Sequence, residues 1–262
     1  MSGPVTVLCV GGSDSSAGAG IQADLKTVCA CGGYALTVIT SLTAQNTRGV
    51  QDILPVAPKF IEAQLDVVLS DIGADALKTG MLLTAGAVGA VAKKIRQYDL
   101  KNVVIDPVMV AKGGRHLMQD GARLAMIKKL LPQATVITPN IPEAEFLSNM
   151  QIRSLADMKK AAVIIRETGV QNVVIKGGHL PGSRKSGSVD ILYDGKGFME
   201  YHTDWIDTVD THGTGCTFAS ALATYLAQGN SIVQSVRKAK KTVTRAIEQS
   251  LKLGHGQGPV RV

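Results

Sequence analysis

The chain has 262 residues, 45% of them hydrophobic, 4% aromatic, and a formal charge of +7. That length supports one large core, so a single domain over residues 1–262 is expected, and the first ten residues, MSGPVTVLCV, carry neither the basic start of a signal peptide nor an apolar run long enough to span a membrane. Only residues 237–241 form a basic run and no base-stacking pattern accompanies it, which argues against nucleic acid and membrane partners; the four cysteines are too few and too irregular for a disulfide scaffold, which fits a cytoplasmic protein acting on anionic small molecules.

In chain order, Val5–Val10 reads as a strand, followed by a Gly/Ser-rich loop and a helix over Ile21–Ala30. Leu36–Thr40 is a second strand, and the polar cluster Thr43 to Thr47 follows it, where the Gln45 amide can both donate and accept. Helical periodicity marks Ile61–Leu69 and Ala85–Tyr98. Asn102–Ile105 is a strand that delivers Asp106, and Gly121–Leu131 is a helix. Thr135–Ile137 then delivers Asn140 and Glu143, Leu155–Glu167 is helical, and Asn172–Ile175 delivers Lys176. The segment His179–Gly187 reads as a flexible candidate lid, Val189–Leu192 as a strand, and Thr217–Gln228 and Ser231–Leu251 as helices, the last closing the fold. Such alternation predicts an α/β fold with a mostly parallel sheet covered by helices, and ligands of such sheets bind beyond the carboxyl ends of the strands.

The richest segment is DTHGTGCTFASALA, residues 210–223, a glycine turn running into an Ala-rich helix. Its amides, from Gly213 through Thr214 and Gly215, can face an anion beside a helix N-terminus, although a tight strand-to-helix turn would use the same glycines. Cys216 sits where thiol pKa values fall, so it is a candidate acceptor of an alcohol proton, or else a small helix-start residue. Asp106 and Glu143 could hold Mg²⁺ partly through water, and Lys176 could face a triphosphate. Neither a Walker A sequence nor a dinucleotide fingerprint is present.

Taken together, GGSDSSAGAGIQADLKT (11–27), SLTAQNT (41–47), LKTGM (77–81), VVIDPVM (103–109), ITPNIPEAE (137–145), VVIKGGH (173–179) and the 210–223 segment resemble the hydroxymethylpyrimidine and phosphomethylpyrimidine kinases, a branch of the ribokinase-like family. The resemblance spans nearly the whole chain and implies a three-layer α/β/α sandwich. It also implies ATP- and Mg²⁺-dependent phosphorylation of 4-amino-5-hydroxymethyl-2-methylpyrimidine and its monophosphate. Cys216 falls where the wider family has an Asp base, and Gly213, Thr214 and Gly215 complete an anion hole. Asn140 and Glu143 form an Asn-x-x-Glu element acting on Mg²⁺ and phosphate, with Asp106, Lys176 and Thr211 near the nucleotide. Gly12, Gln45, Met81 and Val108 match a pyrimidine pocket. A homodimer is implied as well, and pyridoxine or pyridoxal is the alternative acceptor.

Overall fold

The computed structural model describes residues 3–110, 114 and 117–262. Among these, the strands form a nine-stranded sheet in the order β3-β2-β1-β4-β5-β6-β7-β8-β9. The strands are β1 (Thr6–Asp14), β2 (Tyr34–Asn46), β3 (Gly49–Pro55), β4 (Ala76–Thr79), β5 (Val103–Ile105), β6 (Val136–Ile137), β7 (Asn172–Ile175), β8 (Ser188–Tyr193) and β9 (Phe198–Thr203). From β2 through β1, β4, β5 and β6 to β7 the neighbours are parallel, whereas β3, β8 and β9 join antiparallel at the edges.

The helices are α1 (Gly20–Ala30), α2 (Pro58–Asp71), α3 (Ala85–Gln97), α4 (Asp120–Ala125), α5 (Ile141–Ser148), α6 (Leu155–Arg166), α7 (Ser183–Ser186), α8 (Thr214–Ala227) and α9 (Ile232–Glu248). Strand alternation decides which of them each residue meets. Leu8 and Val10 of β1, with Leu77, Ile105, Ile137 and Ile175, pack against α2 to α6. Val7 and Cys9, with Ala76, Val104, Val136 and Val174, pack against α1, α8 and α9. Strands covered on both faces read as unbroken apolar runs, which is why β1, β5, β6 and β7 were legible. The result is the expected α/β/α sandwich.

Several elements depart from the sequence-based expectation. β1 continues through the Gly/Ser segment to Asp14, with a bulge against β2 at Gly11 and Gly12, and β2 reaches Asn46, so Gln45 stands on a strand rather than in a loop. The helix expected over Gly121–Leu131 is α only to Ala125; a π turn over Met126–Leu130 and a 3₁₀ turn over Leu131–Gln133 follow, and Pro132 cannot continue an α ladder. β3, β4, β9 and α5 had no strong pattern: β4 is interrupted by Lys78, and α5 is a short helix.

Past α9 the chain returns over the sheet rather than ending on the helix. Gln257 N–H donates to Thr47 O at 2.8 Å, Gly256 N–H to Thr47 Oγ1 at 3.2 Å, and Gly258 N–H to Asp210 Oδ1 at 2.9 Å, while His212 N–H donates to Gly258 O at 3.0 Å. This strap ties the β2–β3 turn to the segment entering α8. A Cβ on Gly256 would lie 2.2 Å from Thr47 O, a backbone atom that cannot swing away. Gly256→Ala is therefore expected to cost about 1–3 kcal/mol of stability in denaturant unfolding, as overpacked sites do.

Candidate active site

A cavity of about 1340 Å³ lies at the carboxyl ends of the parallel strands. Its lining includes Gly12, Gln45, Met81, Asp106, Val108, Asn140, Glu143, Lys176, Thr211, Gly213, Thr214, Gly215 and Cys216, so every site residue singled out from the sequence faces one space.

The anion cradle is built by the start of α8. Gly213 caps the helix at φ +87°, and a Cβ there would sit 1.9 Å from Gly18 O, so only glycine fits both the backbone angle and the contact. Thr214, Gly215 and Cys216 occupy the first turn, leaving their amides without helical partners. Opposite Gly215, Asp106 Oδ2 and Lys176 Nζ each lie 3.5 Å from where a Cβ would be. A Cβ here would meet both charged groups at ordinary van der Waals distance.

Lys176 Nζ donates to Asp106 Oδ1 at 3.0 Å, and Thr138 Oγ1 donates to the same oxygen at 3.2 Å. Burial opposes the lysine's charge, but Asp106 and Glu143 outweigh it and its pKa is raised. Asn140 and Glu143 form a capping box on α5: Glu143 N–H donates to Asn140 Oδ1 at 3.0 Å, and Asn140 N–H to Glu143 Oε2 at 2.9 Å. Burial, with Asp106 adding repulsion against the pull of Lys176, pushes the Glu143 carboxyl up to about 7.

Cys216 corrects the expectation of a lowered thiol. Gly20 N–H, the first of α1, and Lys78 both favour the thiolate, but burial dominates, with Asp24 and Asp106 adding to it, and the thiol is pushed up to about 11. At neutral pH it carries its proton. Lys78 and Asp24 were not singled out from the sequence, although a lysine inside the apolar strand β4 was the available signal. Their ion pair, 2.7 Å long and fully buried, also borders the cavity.

On the β1–β2 side, Gln45 Nε2 lies 3.3 Å from His212 Nε2, which is itself 2.9 Å from Asp14 Oδ2. Burial would raise Asp14, but His212 and the Ser16 and Ala19 amides hold it at about 2. Gly12 lets Met81 approach, since a Cβ on Gly12 would lie 2.5 Å from its methyl group. The segment read as a flexible candidate lid, residues 179–187, holds short helical turns: a 3₁₀ turn over Gly177–His179 leads to α7, and Arg184 lies 5.9 Å over the Trp205 ring, both on the cavity wall.

Exposed amides at a helix start, facing lysines at the ends of parallel strands, suit a polyphosphate; with this sheet order they define a small-molecule kinase of the ribokinase-like fold class. Comparison with known proteins narrows the class. A sequence model described as phosphomethylpyrimidine kinase matches residues 14–261, and the chain belongs to that family. It is 45% identical over 96% of its length to a hydroxymethylpyrimidine/phosphomethylpyrimidine kinase of Bacillus subtilis, covering 92% of that protein. It is 51% identical over 97% of its length to a thiamine biosynthesis bifunctional protein of Geobacter sulfurreducens, of which it spans 51%. Among solved structures, an ADP complex of Bacillus subtilis pyridoxal kinase superposes with a TM-score of 0.91 at 41% identity, over 98% of this chain and 97% of that one. The family's phosphoryl donor is ATP. Among the described residues no helix is long and apolar enough to cross a membrane.

Two measurements check this electrostatic picture. Alkylation of Cys216 by iodoacetamide, followed by peptide mass analysis, should keep rising with pH toward about 11, whereas an ordinary thiol levels off near its usual value of about 8.5. For Glu143, the folded state holds the proton more tightly than the unfolded chain, so stability falls as pH rises from the usual carboxylate range through about 7. Glu143→Gln keeps the capping box and should be more stable to unfolding than wild type at pH 8, by about 3 kcal/mol, with the difference vanishing near pH 4.

Proposed function

We propose that this chain is a single kinase domain, residues 1–262, that transfers the γ-phosphoryl group of ATP to the hydroxymethyl oxygen of 4-amino-5-hydroxymethyl-2-methylpyrimidine, and then to the phosphate of the resulting monophosphate. The diphosphate is a precursor for thiamine phosphate assembly. The observation that carries this is the convergence of the anion cradle, the Lys176–Asp106 pair and the Gln45 amide on one cavity.

In the first transfer the hydroxymethyl oxygen forms a bond to the γ-phosphorus while the bond to the β–γ bridging oxygen breaks. That oxygen leaves with its electron pair as ADP, and the alcohol's proton is released. Positioning and charge stabilisation supply most of the acceleration in such a reaction. The amides of Gly213 to Cys216 and the Lys176 ammonium hold the phosphoryl oxygens, and Gln45 orients the ring with Met81 and Val108 beside it. Because Cys216 is protonated at neutral pH, its first role is to fix the attacking hydroxyl; it acts as a base only in the fraction that has ionised.

Asp106 and Glu143 fit Mg²⁺. Two buried carboxylates repel one another here strongly enough to help raise Glu143, and a divalent cation relieves that repulsion. Asp106 and Glu143 would hold it together with water and phosphate ligands, as that ion prefers. When bound it would neutralise charge between the β- and γ-phosphates. Thr211 and Asn140, which also line the cavity, would border the nucleotide. The proposal includes action in the cytoplasm and a homodimer, read by light scattering.

ADP release with Mg-ATP and, separately, hydroxymethylpyrimidine, its monophosphate, pyridoxine, pyridoxal or no acceptor tests the reading. Turnover of both pyrimidines is expected; turnover of the B6 vitamers alone would move the assignment to the activity of the structural relative. Cys216→Ala should lower kcat on the order of 100-fold or more. If Cys216 must ionise, kcat/KM should climb about tenfold per pH unit from 7 to 10, and a flat profile assigns it to positioning.

A further inference from the structure

The most unusual charged group in the molecule is one the proposed reaction does not use. Lys78 stands on β4, a strand in the middle of the sheet, and is fully buried with Asp24 of α1. Such a pair is expensive to dehydrate, and apolar residues of similar volume are often as stable or more so, so packing alone does not account for it. Asp24 Oδ1 also accepts from Ser220 Oγ of α8 at 2.8 Å, while its Oδ2 is buried with no hydrogen-bond partner.

Position supplies the reason. Lys78 is two residues from Ala76, so both project to the face of the sheet covered by α1 and α8. Ser220 is four residues beyond Cys216 and therefore on the same side of α8, one turn below it. Both Lys78 and Asp24 border the cavity, and Lys78 Nζ lies 3.1 Å from where a Cβ on Gly80, another wall residue, would sit. The charged neighbours of Cys216 are Lys78, Asp24 and Asp106, with Lys78 the strongest of the three. Asp106 is already held by Lys176.

We infer that Lys78, fixed by Asp24 and Ser220, is a positioning residue of this kinase: it holds a dry cation beneath Cys216, where negative charge gathers as the hydroxyl attacks the phosphoryl group. This rests on the kinase reading above. Lys78 neither gains nor loses a proton in the transfer; it acts through the first turn of α8. Burial opposes its charge but Asp24 more than compensates, so it stays an ammonium throughout the working pH range. The arrangement also explains why Gly80 follows so closely: a side chain there would press on the ammonium.

Variants of the full chain test this. Lys78→Met together with Asp24→Asn removes both charges, so no uncompensated ion is left inside. The double variant should unfold near the wild-type temperature, keep KM for ATP and the pyrimidine within about threefold, lose kcat on the order of 100-fold, and alkylate more slowly at Cys216 across the pH range. Lys78→Arg, which retains the cation, should recover part of that kcat. A folded double variant with wild-type kcat, or with unchanged Cys216 alkylation, overturns the inference. Should the double variant fail to fold, Ser220→Ala serves: it frees Asp24 to turn its unpartnered oxygen toward Cys216, so kcat and alkylation should both fall several-fold, and wild-type values for both overturn the inference. Alkylation is read without substrate, so it still reports on Lys78 if the wild-type chain releases no ADP and the kinase reading itself fails.

Discussion

Because β2, β1, β4, β5, β6 and β7 run in one direction, their carboxyl ends open along a single side of the sheet, and that alignment decides where polar chemistry can be placed. Strands buried on both faces admit few charges along their length. Asp106, Asn140 and Lys176 each appear one to three residues past the last paired position of their strand. The helix starts of α1 and α8 point at the same place from one flank, and α5 from the other. The cavity is thus a consequence of strand direction before it is a consequence of any particular side chain.

The same burial sets the charge states. Where a carboxylate finds a lysine, as Asp106 finds Lys176, the lysine's charge is reinforced. Where it finds amides and a histidine, as Asp14 does, its acidity increases. Where opposing partners are insufficient, as for Glu143 and Cys216, the neutral form persists near physiological pH. A site so arranged is incomplete on its own and is electrostatically suited to highly charged phosphates together with a cation. The Gln45 amide and the Met81 side chain line the same cavity.

Much of this was legible in the sequence, and the exceptions share a cause. Val103–Ile105 and Asn172–Ile175 were readable because residues hidden on both faces must be apolar and β-branched. The site residues were readable because their motifs, taken in order, match a known family. Burial was not readable: Cys216 stands at a helix start, where a lowered pKa is the ordinary expectation, and only the packed structure reveals that desolvation wins. The pairing of Lys78 with Asp24 was not readable in one dimension, since it spans 54 residues and requires the α1–β4 contact. The strap at residues 251–260 escaped because glycine-rich segments carry no periodicity, and β1 ran past its expected end because its bulge accommodates Gly11 and Gly12 within the pairing.

The Asn140–Glu143 box gives one carboxylate two employers. It closes the first turn of α5 through the Asn140 amide, and it also lines the cavity. A helix boundary and the cavity wall are thereby coupled at a single residue: a replacement that changes the group facing the cavity also resets how firmly α5 begins, and a replacement that loosens α5 is felt in the wall. Few replacements leave both intact, since only a residue with the reach and acceptor oxygen of Glu or Gln preserves the helix start, and only Glu preserves the carboxyl group.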